Sequence, residues 1–174
     1  PKKLEADIIR FQNDKEKWIA VVGLYEGRPY EIFSGKAASF VLPNSVEKGW
    51  VIRVKEEDNL PARYDFQFLD NDGYKVTIEG LSRMFKKEYW NYAKLISGIL
   101  RHGMPITNVI ELISKLTLDT DSINTWKNGI ARALKKYVKD GTIVEGEKCP
   151  QCGGKIIYTS GCKQCSDCGW SKCG

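Results

Sequence analysis

Residues 64–78 read YDFQFLDNDGYKVTI. Tyr64, Phe66 and Phe68 alternate with Asp65 and Gln67, and after Asp70-Asn71-Asp72-Gly73 the alternation resumes, with Tyr74, Val76 and Ile78 set against Lys75 and Thr77. A period of two places successive side chains on opposite faces and predicts strands. The Asp-Gly between them predicts a hairpin turn, so the two strands must run antiparallel. Asp70-Asn71-Asp72-Gly73 also begins like a calcium loop, but the downstream glutamate spacing fails and strands flank it.

Toward the N terminus the same period recurs. Trp50, Ile52 and Val54 alternate with Val51, Arg53 and Lys55. Trp18, Ala20, Val22 and Leu24 alternate with Ile19, Val21 and Gly23, so both faces of this strand are expected to be buried. Glu26-Gly27-Arg28-Pro29 predicts a turn before Tyr30, Ile32 and Phe33. Region 1–85 is expected to be an antiparallel sheet.

Toward the C terminus the period becomes helical from about residue 86. Trp90, Ala93, Ile96 and Leu100 share one face of a helix expected to end at His102-Gly103. Pro105 opens the next, whose apolar stripe is Ile106, Val109, Ile110, Ile113 and Leu116. Asp121 or Ser122 caps a third, with Ile123, Trp126, Ile130, Leu134 and Tyr137 inward and Gly141 as terminator. Its outer face carries Lys127, Arg132, Lys135, Lys136 and Lys139, which read as a solvated helix face. The expected fold class is α+β: a small antiparallel sheet followed by a three-helix segment (86–142) packed on it as one domain, with a separate C-terminal ribbon at 143–174.

The chain of 174 residues is long enough to bury a core. A net charge of +5 is a mild excess and weak evidence for a nucleic-acid partner. No apolar run is long enough to span a membrane and no signal segment opens the chain, which points to the cytosol, where thiols stay reduced. Pro1 stands where an initiating Met would, so processing or a longer parent chain is expected. His102 is the single histidine, and a Ser-His-Asp triad has no independent support; at a helix end its expected role is to bind the last carbonyls. No residue before 149 announces catalysis.

The tail does. Residues 149–174, CPQCGGKIIYTSGCKQCSDCGWSKCG, contain all six cysteines of the chain. Cys149-Pro150-Gln151-Cys152-Gly153 is a zinc knuckle, in which two thiolates on one tight turn grip one ion. A second pair completes a C-x2-C…C-x2-C zinc site, and there are two choices for it. Cys162 and Cys165 leave Cys168 and Cys173 over, whereas Cys165 and Cys168 leave Cys162 and Cys173. The second choice makes the better knuckle, because Gly169 follows Cys168 as Gly153 follows Cys152. In either register Cys173 is free near the C terminus, and a mobile thiol beside another suits thiol–disulfide exchange. Residues 140–148 are polar and contain glycine, the composition of a link between anchor and tail.

The ending CPxCG…GCxxCxxCGxSKCG resembles the cysteine-rich tail of adenosylcobalamin-dependent (class II) ribonucleotide reductases. RPYEIFSGKA (28–37), YWNYAKLISGILRHGMPITNVIELISKL (89–116) and DSINTWKNGIARALKKYVKDGT (121–142) are similar to the region before that tail. That region is a module named for a Thr-Ser-Cys-Pro-Asp motif; this chain lacks the motif and would be a degenerate member. The resemblance implies conversion of ribonucleotides to deoxyribonucleotides by a thiyl radical made with adenosylcobalamin. It also implies a C-terminal cysteine pair that re-reduces the active-site disulfide. Such tails end in C-x4-C, matched by Cys168 and Cys173, which implies zinc on Cys149, Cys152, Cys162 and Cys165.

The catalytic barrel and the cobalamin site are not in this sequence. The chain is thus expected to be a C-terminal fragment or a separate small subunit, inactive alone. Its expected partners are the catalytic body and a dithiol reductant, with no membrane and no nucleic acid. The competing expectation is a zinc ribbon that binds nucleic acid or protein without redox work. It needs only four cysteines and gives the other two no role.

Overall fold

The computed structural model describes residues 2–13, 15–56 and 61–173; Pro1 lies outside them. Six strands form the first sheet: β1 (Lys3–Asn13), β2 (Glu16–Tyr25), β3 (Arg28–Lys36), β4 (Lys48–Val54), β5 (Arg63–Leu69) and β6 (Lys75–Ile78). Their order is β3-β2-β1-β4-β5-β6, and every neighbouring pair is antiparallel. The expected turns hold. Tyr25 pairs with Arg28 across Glu26 and Gly27, both at positive φ, which matches the right-handed twist of the flanking strands. At the β5–β6 turn, Asp70 Oδ1 accepts from the backbone N–H groups of Asp72 and Tyr74, and Gly73 takes a φ of 82°.

Residues directly opposite on paired strands share a face, so the register assigns the two sides. Phe11 faces Trp18, which packs on Tyr89; α2 (Lys87–Arg101) and α4 (Asp121–Lys135) lie on this side, with α1 (Leu81–Met84) and α3 (Ile106–Ser114) completing the helical set. Leu4, Ile8, Val21, Phe33, Val51 and Phe66 share the other side. Phe33 of β3 reaches Tyr64 of β5 at 5.3 Å between ring centroids, so the sheet curls round on this face. β2 lies between the two apolar layers, and Trp18 through Gly23 are all buried, as the sequence implied.

β3 is an edge strand, and α2 covers its edge: Ser97 Oγ accepts from the Ile32 N–H at 3.1 Å and donates to the Ile32 carbonyl at 3.3 Å. His102 follows α2 as expected, its Nδ1 2.7 Å from the Gly98 carbonyl. The cap of α4 differs from expectation. Thr120 is the N-cap, its Oγ1 accepting from the Ile123 N–H, because Thr120 keeps extended backbone while Asp121 already lies in the first turn. The helix also ends before Gly141. After Lys135 it tightens through Tyr137 N–H to Leu134 O and Val138 N–H to Lys135 O.

The second sheet comprises β7 (Ile143–Lys148), β8 (Lys155–Thr159), β9 (Cys162–Cys165) and β10 (Ser171–Lys172), ordered β10-β9-β8-β7 and antiparallel throughout. Most of the polar segment expected as a link is therefore strand β7. Its Val144 is buried, and the Gly141 N–H bonds the Tyr158 carbonyl at 2.8 Å. Val144, Ile156 and Tyr158 join the same apolar cluster as Ile130 and Leu134 of α4, so the ribbon is packed on the helices. Among the described residues no helix is long and apolar enough to cross a membrane.

Candidate metal centre

The loop between β7 and β8 and the loop between β9 and β10 have the same local sequence, Cys-x-x-Cys-Gly, and fold alike. In the first, the Gly153 N–H bonds the Cys149 carbonyl at 2.8 Å and the Gln151 N–H points at Cys149 Sγ at 3.4 Å. In the second, the Gly169 N–H bonds the Cys165 carbonyl at 3.3 Å and the Asp167 N–H points at Cys165 Sγ at 3.4 Å. Gly153 and Gly169 both take left-handed φ, 73° and 78°, where a side chain would be strained. Beside them a Cβ on Gly154 would displace the exposed Asp167 carboxylate.

The two knuckles face each other. The sulfurs of Cys149, Cys152, Cys165 and Cys168 all lie within 4.8 Å of one another, with Cys149 to Cys168 at 3.6 Å and Cys152 to Cys165 at 3.4 Å. A tetrahedral zinc with Zn–S bonds of about 2.3 Å requires sulfurs about 3.8 Å apart. The four thiols fit that ion by number, type and spacing. Cys149 and Cys165 are buried while Cys152 and Cys168 are exposed, so the centre sits at the surface of the ribbon.

The crowding of the four sulfurs shows in the thiol electrostatics. Burial pushes the Cys149 thiol up, but backbone N–H groups of Cys152 and Gln151 and the neighbouring thiols outweigh it and bring it down to about 7. At Cys152 a backbone hydrogen bond near Gly154 lowers the thiol, yet the crowding thiols of Cys165 and Cys168 win and push it up to about 12. Four thiolates cannot share this space without a cation.

The remaining cysteines, Cys162 and Cys173, form a disulfide. Of the two registers open in the sequence, the structure assembles the one that uses the second Cys-x-x-Cys-Gly. The set drawn from the family resemblance, with Cys162 beside Cys149, Cys152 and Cys165 and with Cys168 paired to Cys173, is not brought together. The physical reason is that Cys162 begins strand β9, whereas Cys165 and Cys168 flank a turn that can fold two sulfurs toward one point. The repeated glycine was the signal that carried this register.

The family model described as NrdJ homologue C-terminal domain matches residues 4–139, and the chain belongs to that family. The family is related to the class II ribonucleotide reductase NrdJ. The match spans the curled sheet and the helices and stops before Cys149, so the cysteine centre lies beyond it. No curated protein and no solved structure matches the chain.

Proposed function

We propose that this chain is the C-terminal part of an adenosylcobalamin-dependent ribonucleotide reductase. In this reading residues 1–142 anchor a zinc ribbon, zinc is held by Cys149, Cys152, Cys165 and Cys168, and Cys162 and Cys173 are the exchangeable pair. One observation carries the reading: the six cysteines divide into a four-thiol cluster and a disulfide that shares none of them.

The chemistry balances as dithiol–disulfide exchange. Reduced Cys173, exposed and beside Lys172, attacks the active-site disulfide of the catalytic body as a thiolate, releasing one body thiol. Cys162 then attacks the mixed disulfide and releases the second. Two electrons and two protons pass to the body, and the Cys162–Cys173 disulfide remains. A dithiol reductant then returns the pair to its reduced form. Zinc holds the two knuckles together and takes no part in the transfer; adenosylcobalamin belongs to the catalytic body.

The test is multiple turnover of a matching reductase body joined to or mixed with this chain, driven by a protein dithiol that cannot enter the active site. The intact chain should sustain turnover. Cys162→Ser, Cys173→Ser, or removal of residues 143–174 should stop it after the few turnovers the body's own cysteines allow. A small dithiol that enters the site should restore activity. Equal multiple-turnover rates with and without the tail would refute the proposal.

A further inference from the structure

A recess of about 610 Å³ lies between α4 and the ribbon, within the size range of small-ligand sites. Four lysines line it: Lys135 from the last turn of α4, Lys148 from β7, Lys163 from β9 and Lys172 from β10. Glu147 is the one acidic residue of the lining, leaving an excess of three positive charges. Glu147 is already paired with Lys163 at 2.6 Å. Among the described residues Lys135, Lys148 and Lys172 form no ion pair. Trp170 supplies an apolar wall, and Ser114 and Asn128 supply neutral polar groups.

The like charges gathered here repel one another. Lys135 is half-buried, and its ammonium is held below the usual lysine range by burial first and then by Lys163, Lys172 and Arg132, with Glu147 opposing. Residues from three strands and a helix converge here, so the charge is a product of the tertiary fold. A solvated helix face does not account for it.

We propose that this recess binds a polyphosphate group, either as a free anion or as the phosphate chain of a nucleotide. The match is one of charge and size. A terminal phosphoryl group carries about −1.5 to −2 near neutral pH, so two linked phosphates meet the excess, whereas one carboxylate leaves most of it unbalanced and one sulfate still leaves part of it. Lysines act as mobile point charges on phosphate oxygens, with up to three donors each. The recess borders the exchange pair, since Lys172 precedes Cys173 and Lys163 follows Cys162, but phosphate binding does not require the exchange.

Isothermal titration of the full, zinc-loaded chain with inorganic triphosphate, ATP and a poly-glutamate peptide tests this at near-physiological salt. Triphosphate should bind at one site and salt should weaken it. Lys172→Gln, at an exposed strand position, and Lys135→Met, which keeps the aliphatic stem, should each weaken binding about 5- to 10-fold. Lys94→Gln on α2 should leave it unchanged. Tighter binding of ATP than of triphosphate identifies a nucleotide, and equal binding a free polyphosphate; both support the site. The proposal is overturned by absence of triphosphate binding, by equal loss in Lys94→Gln, or by poly-glutamate binding as tightly as triphosphate. The last outcome would make the recess a docking surface for an acidic protein.

Discussion

Cys162 and Cys173 stand opposite each other at the end of the β9–β10 ladder, one position beyond the Lys163–Lys172 pair, with their Cα atoms 4.4 Å apart. The hairpin they close carries Cys165 and Cys168 at its turn. One hairpin thus holds half of the four-thiol cluster at its tip and the disulfide at its open end. The strand register keeps the two groups on different cysteines, so breaking the disulfide leaves the four-thiol cluster whole.

Zinc content should follow that division. Cys165→Ser and Cys168→Ser should each lose most of the bound zinc, while Cys162→Ser and Cys173→Ser should keep about one ion per chain. Elemental analysis of reduced protein reads the result. Zinc lost from Cys162→Ser but retained by Cys168→Ser would restore the register implied by the family resemblance.

Zinc uptake should release protons. Without metal, Cys149 is part-ionised near neutral pH, its thiol lying at about 7, while Cys152, at about 12, is protonated. Binding requires all four as thiolates, so uptake at pH 7 should release roughly 3–4 protons, and affinity should fall steadily as the pH is lowered. Calorimetry in two buffers of different ionisation enthalpy measures the number. A release of about one proton or none would mean that fewer thiols bind than the geometry offers.

Two helical glycines should respond oppositely to alanine. A Cβ on Gly129 of α4 would collide with the Phe11 ring of β1, so Gly129→Ala should destabilise by about 1–3 kcal/mol. A Cβ on Gly98 of α2 meets nothing within 4 Å, so Gly98→Ala should stabilise by about 0.5–1 kcal/mol through helix propensity. Denaturant midpoints at constant slope distinguish them. Equal shifts would refute the close helix–sheet contact.

Ser97 should matter as a cover for the sheet edge. Ser97→Ala leaves the buried Ile32 N–H and carbonyl without their edge partner, at a cost of about 1–3 kcal/mol. Hydrogen exchange at the Ile32 amide should speed up more than at amides inside the β1–β2 ladder. Unchanged exchange at Ile32 would show that the edge does not depend on this hydroxyl.

Much of this architecture is local and therefore legible in the sequence. Alternation along 64–78 with Asp-Gly between, and the Glu26-Gly27 turn, set the hairpins, because a two-residue period and left-handed turn residues leave few alternatives. The 3.6-residue stripes of α2, α3 and α4 and the two Cys-x-x-Cys-Gly turns are equally local. β1 was not picked out. Its Ile8 and Ile9 are both buried, since it lies in mid-sheet between β2 and β4, and a strand apolar on consecutive residues loses the period of two. The cap of α4 lies at Thr120, one or two residues before the expected Asp121 or Ser122, as helix ends shift when neighbouring residues can each accept the same backbone bond. The pairing of cysteines could not be decided by spacing alone, because Cys162 and Cys168 both lie three residues from Cys165. Only the register of β9 against β10 turned Cys162 toward Cys173, and only the docking of the ribbon on α4 gathered Lys135, Lys163 and Lys172 into one recess. Local chemistry chooses turns and periods; contacts between residues far apart in the chain exist only once the packed core has closed them.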